Sequence, residues 1–193
     1  FKNLIKDFGG EFVEWKYACS PRIVGNGLVV DCGGKRHSTL MLNKQNGAKI
    51  WSNGAYQAGY ASPITYSQNG RDAVLIFKGK DMVSHDLKTG RVLWTLAWKT
   101  SYDVNASSPI ILDNQQMLIT SGYNDGRAVM YDISGTKPKQ LWRSDELKTK
   151  MSSAVVIGNG IFAVTMNRRG GLICLDRKTG KTLWTDSTGG KYG

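Results

Sequence analysis

The chain has 193 residues, 40% hydrophobic and 10% aromatic, enough for one domain with an ample core. Its 26 Lys and Arg against 15 Asp and Glu give a formal charge of +11, a balance that attracts anionic partners. Nucleic acid is not indicated, because no RRM, zinc-finger or helix-turn-helix signature occurs and the cations are scattered through turns; no apolar run reaches the roughly 20 residues of a membrane span.

In chain order the first landmark is GGEFVEW at 9–15, a short aromatic-rich stretch ending in Trp15. CSP at 19–21 then opens two apolar runs, a loop and LNKQNGAKIW at 42–51. The same order returns with ASP at 61–63 and DLKTGRVLW at 86–94, with SSP at 107–109 and YDISGTKPKQLW at 131–142, and with SSA at 152–154 and DRKTGKTLW at 176–184. Trp51, Trp94, Trp142 and Trp184 close the four units at intervals of roughly 40 to 50 residues, the period of propeller blades or helical pairs. Apolar runs of four to six residues separated by Gly-Asn-Gly or Lys-Thr-Gly are hairpin-linked strands, and no helical period competes with them. Each unit therefore reads as four short antiparallel strands, A to D, starting near Pro21, Pro63, Pro109 and Ala154.

Four-stranded sheets repeated radially make an all-β fold, the β-propeller. About four blades are expected, roughly 16–57, 58–102, 103–148 and 149–190, with 1–15 supplying the last strand of a preceding blade. The D-x-x-T-G-x-x-x-W string has a mechanical reading. Asp86 and Thr89, like Asp176 and Thr179, bond turn backbone, and Gly90 and Gly180 supply the positive φ. Trp94 and Trp184, with Trp51 and Trp142, present a flat ring and one N–H to the next blade, so these are assigned as structural docking residues.

The inventory for catalysis is thin. His37 and His85 fall in different units, the turn accounts for Asp86, Asp132 and Asp176, and no hydrolase, metalloprotease or nucleotide-binding motif is present. No residue is assigned as catalytic or as a metal ligand. Cys19, Cys32 and Cys174 have no metal or haem spacing; Cys19 and Cys32 flank one turn, either as a disulfide or as two free thiols.

The D-x-x-T-G-x-x-x-W pattern and the preceding Ser-Pro strand resemble the tryptophan-docking repeats of quinoprotein-type (PQQ-like) β-propellers, over essentially the whole chain. That family includes alcohol dehydrogenases and a non-enzymatic outer-membrane assembly lipoprotein. The resemblance implies a ring of about eight blades, of which this chain is an arc, completed by remaining blades of the same chain or by a second copy. It also implies a periplasmic or cell-envelope location. The fold hosts enzymes and binding modules alike. The expected function is a non-enzymatic binding or scaffold module for a protein or anionic partner. The alternative is a quinoprotein alcohol or sugar dehydrogenase, for which the resemblance implies PQQ and Ca²⁺ as cofactors.

Strand reversal puts the B to C loops and the D to A loops on one face of a blade. The B to C loops at 32–38, 78–81, 122–127 and 166–171 carry Lys35, Arg36, Lys78, Lys80, Arg127, Arg168 and Arg169. The D to A loops add Lys99, Lys148 and Lys150 against Asp145 and Glu146. This face is the candidate site for an acidic peptide, an anionic glycan or a carboxylated cofactor.

Overall fold

A computed structural model describes residues 1–113, 115–123, 125–166 and 170–187. The first sheet is β1 (Arg22–Val24), β2 (Gly27–Asp31), β3 (Thr39–Asn43) and β4 (Lys49–Asn53). The second is β5 (Ile64–Gln68), β6 (Arg71–Phe77), β7 (Asp81–Asp86) and β8 (Val92–Ala97). The third is β9 (Ile110–Leu112), β10 (Gln116–Thr120), β11 (Ala128–Asp132) and β12 (Lys139–Ser144). The fourth is β13 (Val155–Ile157), β14 (Gly160–Val164), β15 (Leu172–Asp176) and β16 (Thr182–Asp186). Within each sheet the strands lie in sequence order and pair antiparallel. These are four blades of a partial β-propeller, as the repeat predicts. Two compact units, Phe1–Lys99 and Thr100–Gly193, hold two sheets each.

Each blade's first strand begins one residue after Pro21, Pro63, Pro109 or Ala154. The serine of this landmark has a use beyond ending a loop. Ser62 Oγ accepts the amide of Ser20 and Ser153 Oγ accepts that of Ser108, both at 2.9 Å, which ties the entries of adjacent blades. At the other edge, the pairing of each third and fourth strand slips at one place, between Met41/Leu42, Ser84/His85, Met130/Tyr131 and Cys174/Leu175. A bulge of this kind bends the strand and re-aims its side chains. The residues opposite its near side are Trp51, Trp94, Trp142 and Trp184.

The core runs between the sheets of each unit. Val29, Met41 and Trp51 pack with Val74 and Ile76 in the first unit. Trp142 packs with Leu118, Met130, Ile161, Ile173 and Leu175 in the second. Ala73 to Phe77 of β6 are wholly buried, so that strand is covered on both faces.

Residues 9–15, expected as the last strand of a preceding blade, carry no strand among the described residues. Instead the chain opens with α1 (Leu4–Phe8), capped by the Asn3 side chain, which accepts from Ile5 N and Lys6 N at 3.0 Å, and closed by Gly9 at φ +68. Leu4 and Phe8 pack on the Val30, Cys32 and Leu40 cluster of the first blade, and Glu11 N donates to Cys32 O at 3.2 Å. Trp15 is 53% exposed and lies against Tyr60. Cys19, Cys32 and Cys174 are all free thiols.

Candidate functional site: the docking turns and the loop-end face

The Asp-Thr-Gly turns build the edges of the blades. Asp86 Oδ1 accepts from Lys88 N, Thr89 N and Thr89 Oγ1, the last two at 2.8 Å, and Asp176 Oδ1 holds Thr179 N and Oγ1 at the same distance. The threonine hydroxyls, first among these donors, hold both carboxyls below the usual carboxylate range. In the first blade Asn43 Oδ1 does the same work, accepting from Gln45 N and Asn46 N.

Two tryptophans seat on such turns. Trp51 Nε1 donates to Leu87 O at 3.0 Å and Trp142 Nε1 donates to Arg177 O at 2.9 Å. Each ring lies flat on a turn glycine: a Cβ on Gly90 would come 2.5 Å from Trp51, and one on Gly180 would strike Trp142 just as closely. Glycine is needed there twice, for its φ of +74 or +69 and for the ring above it.

The other two tryptophans have different surroundings. Trp94 is buried, but its N–H is taken within its own blade by Gln68 Oε1 at 3.2 Å, the same oxygen that accepts from Tyr66 OH. Trp184 is 46% exposed, in contact with Phe162, because no blade of the described chain lies over β16.

On the loop-end face of the first unit, Lys35 and Arg36 are exposed and, with Lys49, Asp7, Phe8, Gly9 and His37, line a cleft of about 370 Å³. Helix α1 forms its opposite wall. None of the three cations has a carboxylate within ion-pair distance among the described residues. His37 is oriented by Ser52 Oγ, 2.9 Å from its Nδ1. Lys80 and Lys99 are exposed on the second blade.

Lys78 corrects the reading of the face. It is fully buried, with Nζ 2.6 Å from Asp31 Oδ1 and 2.8 Å from Ser38 O. Asp31 in turn accepts from Gly59 N at 3.0 Å and Gly33 N at 3.3 Å. The side chain turns inward because Asp31, the one acid ending the GLVVD strand, is itself wholly desolvated and needs a counter-charge. The pair clamps the B to C loops of two blades to the segment between them.

In the second unit a neutral relay occupies the corresponding place. Thr149 Oγ1 bonds Thr120 Oγ1 at 2.6 Å, and Ser107 Oγ lies 2.6 Å from Thr149 Oγ1 and donates to Ser152 O. Arg127 is half-buried, donating to Asp125 O at 2.9 Å, and burial lowers its affinity for the proton. Lys148 and Lys150 are half-buried as well. Arg168 and Arg169 lie outside the described residues. Sequence reasoning missed Tyr102 and Tyr123, which stand beside Lys150; their signal was a pair of tyrosines placed in turns, where packing does not require them.

Among the described residues no three His, Cys, Asp or Glu side chains converge as a metal site, so none is assigned to Ca²⁺ or to a quinone. No described helix is long and apolar enough to cross a membrane.

The family model for the outer membrane protein assembly factor BamB, PQQ_2, matches residues 6–186. No curated protein matches the sequence. Among solved structures, BamB from Moraxella catarrhalis superposes with a TM-score of 0.66 at 17% identity, over 89% of this chain and 48% of that one. Quinohemoprotein alcohol dehydrogenase from Comamonas testosteroni gives 0.58 at 14%, over 89% and 35%. A europium-containing methanol dehydrogenase gives 0.57 at 14%, over 89% and 42%. The chain thus spans about half or less of the length of these structures, and at such identities the likeness is one of fold.

Proposed function

We propose, from the premise that this chain belongs to the outer membrane protein assembly factor BamB family, that it is a non-enzymatic binding or scaffold module of the cell envelope. Its loop-end face holds an acidic segment of a protein partner. One observation carries the reading: Lys35, Arg36 and Lys49 share a cleft whose one lining carboxylate, Asp7, accepts from Asn3 N and makes no ion pair with them among the described residues. Cations arranged in this way steer an acidic partner and fix its register, while a rigid scaffold holds them in place. The buried Asp31–Lys78 clamp is that scaffold, since it anchors the loop that carries Lys35 and Arg36.

The probe is a fluorescent octaglutamate peptide titrated with the chain at low and high salt. Binding at low salt is expected to weaken as salt shortens the Debye length. Lys35→Glu with Arg36→Glu is expected to weaken it at low salt by at least about tenfold, the equivalent of roughly 1.4 kcal/mol. Unchanged affinity in that double variant means that this cleft is not the site.

A further inference from the structure

The D to A and B to C loops that meet at the start of the second unit hold two tyrosines in a conformation that tyrosine disfavours. Tyr102 has φ 64 and Tyr123 has φ 62, and Asp103, next to Tyr102 in the first loop, has φ 55. Residues other than glycine enter this region at a cost, and such outliers persist only where surrounding structure over-determines them. Here it does. Buried Thr100 donates to the side-chain oxygen of buried Asn105 at 3.0 Å and to Val104 O, which fixes the base of the first loop. Ser101 Oγ reaches across to Asp125 Oδ2 at 2.9 Å and joins the first loop to the second.

The result is an aromatic pair with one ring exposed and the other half-buried. Tyr102 is 71% exposed, and its ring stands edge-on to that of Tyr123 at 5.9 Å. Lys150 Nζ lies 5.1 Å from the centre of the Tyr123 ring. The lysine is placed by backbone: Gly122 runs so close to residues 149 and 150 that a Cβ on it would fall 2.6 Å from Thr149 O and 2.8 Å from Lys150 Cα. Nothing in the packing of the blade requires a tyrosine ring held out to solvent at the tip of a loop. Rigid aromatic side chains beside a cation, ordered before any partner arrives, are what the anchors of protein interfaces consist of.

We infer that Tyr102, Tyr123 and Lys150 form a pre-ordered anchor for a protein segment that lays an apolar side chain on the Tyr102 ring and an adjacent carboxylate against the Lys150 ammonium. This rests on the reading of the chain as a binding module but uses residues separate from the Lys35 cleft. The strain fits the role, since stability is spent on holding the rings where a partner can bury them.

The test uses a displayed random dodecapeptide library panned on the full chain. Enriched peptides are expected to pair a carboxylate with a neighbouring apolar residue. They are expected to lose affinity by at least about tenfold against Lys150→Glu and against Tyr102→Gly. Glycine is the informative substitution, because it relieves the left-handed backbone. Its melting temperature is expected to equal or exceed that of the parent while binding falls, whereas a purely structural tyrosine would lose stability. Peptides that bind both variants as well as the parent, an absence of enrichment, or a clear drop in the melting temperature of Tyr102→Gly would each overturn the inference. So would retention of polygalacturonate through Tyr102 in place of peptides. Peptides that fail only against Lys35→Glu with Arg36→Glu overturn the anchor and leave the basic cleft standing.

Discussion

Trp51 and Trp142 each combine a ring closed over glycine with an indole N–H satisfied by a carbonyl, and both are at most 8% exposed. Truncating either to alanine empties a large aromatic site and leaves a part-buried carbonyl without its donor. The expected loss is about 3–5 kcal/mol. Trp184 has the same place in its repeat but is 46% exposed, so Trp184→Ala is expected to cost far less. Denaturant melts of the three variants check this, and equal losses would refute the docking assignment. Trp98 shows the limit of reading by repeat. It lies outside the tryptophan period, which predicts a smaller cost, yet it is 1% exposed and stands edge-on to Phe77. Its removal belongs in the same 3–5 kcal/mol range as other buried aromatics.

At the scale of strands and loops, the first unit depends on two buried polar clamps between adjacent blades. The Asp31–Lys78 pair has both side chains at 0% exposure. Breaking such a pair from one side strands a desolvated charge, so Lys78→Met is expected to cost about 3–5 kcal/mol. Asp31→Leu added to Lys78→Met is expected to recover most of that, because neither charge is then buried; urea melts of the single and double variants measure the difference. The second clamp is His85 on β7. Its Nε2 lies 3.2 Å from Thr39 Oγ1 of β3, its Nδ1 faces Gly90 O at 3.0 Å, and its ring stacks on Trp51. Gly90 O can only accept, so Nδ1 carries the proton and Nε2 accepts from the threonine.

Burial pushes the His85 pKa down from 6.5 to about 4. The folded value is the depressed one, so the unfolded chain binds the proton more readily. Stability from this group is therefore complete above pH 6.5 and is lost as pH falls from there to about 4, by roughly 3 kcal/mol in all. The turn carboxyls Asp86 and Asp176, held below their ordinary 3.8, release their share only under that window. Melts from pH 7 to pH 4 are expected to show the decline in the parent and a flat profile in His85→Gln; a parallel decline in both would assign it elsewhere.

At the scale of the molecule, what was legible in the sequence is what repetition amplifies. Four copies of one pattern fixed the strand starts to a residue, because proline and the Asp-Gly turn act locally. Helix α1 was not legible, because a single five-residue element marked only by the Asn3 cap and Gly9 carries no such redundancy. Lys78 was placed on the surface because loop position says nothing of a counter-charge 47 residues away. The tyrosine anchor was legible only as two tyrosines placed in turns, because backbone strain is not written in residue type. The bulges before each tryptophan were hidden for the opposite reason, being uniform and leaving the repeat length unchanged.

The uncovered sheet faces give the last prediction. In the fourth blade Val155, Ile157, Leu172, Leu183 and Trp184 are between 41% and 67% exposed, and in the first Ile23 and Ile50 are 62% and 49% exposed. Apolar side chains exposed on a blade face in this number mark a contact surface. In both units the neighbour of such a face is another blade, seated by a tryptophan on a turn glycine. The polypeptide of residues 1–193 is therefore expected to associate in a concentration-dependent way through the Trp184 face, a second copy supplying the cover. Sedimentation across a hundredfold range of concentration reads the association, and Leu183→Lys with Trp184→Lys is expected to abolish it at only a small cost in melting temperature, since Leu183 is exposed and Trp184 is about half exposed. A strictly monomeric parent would show that these faces are stable in water, and a double variant that still associates would move the contact to the first blade.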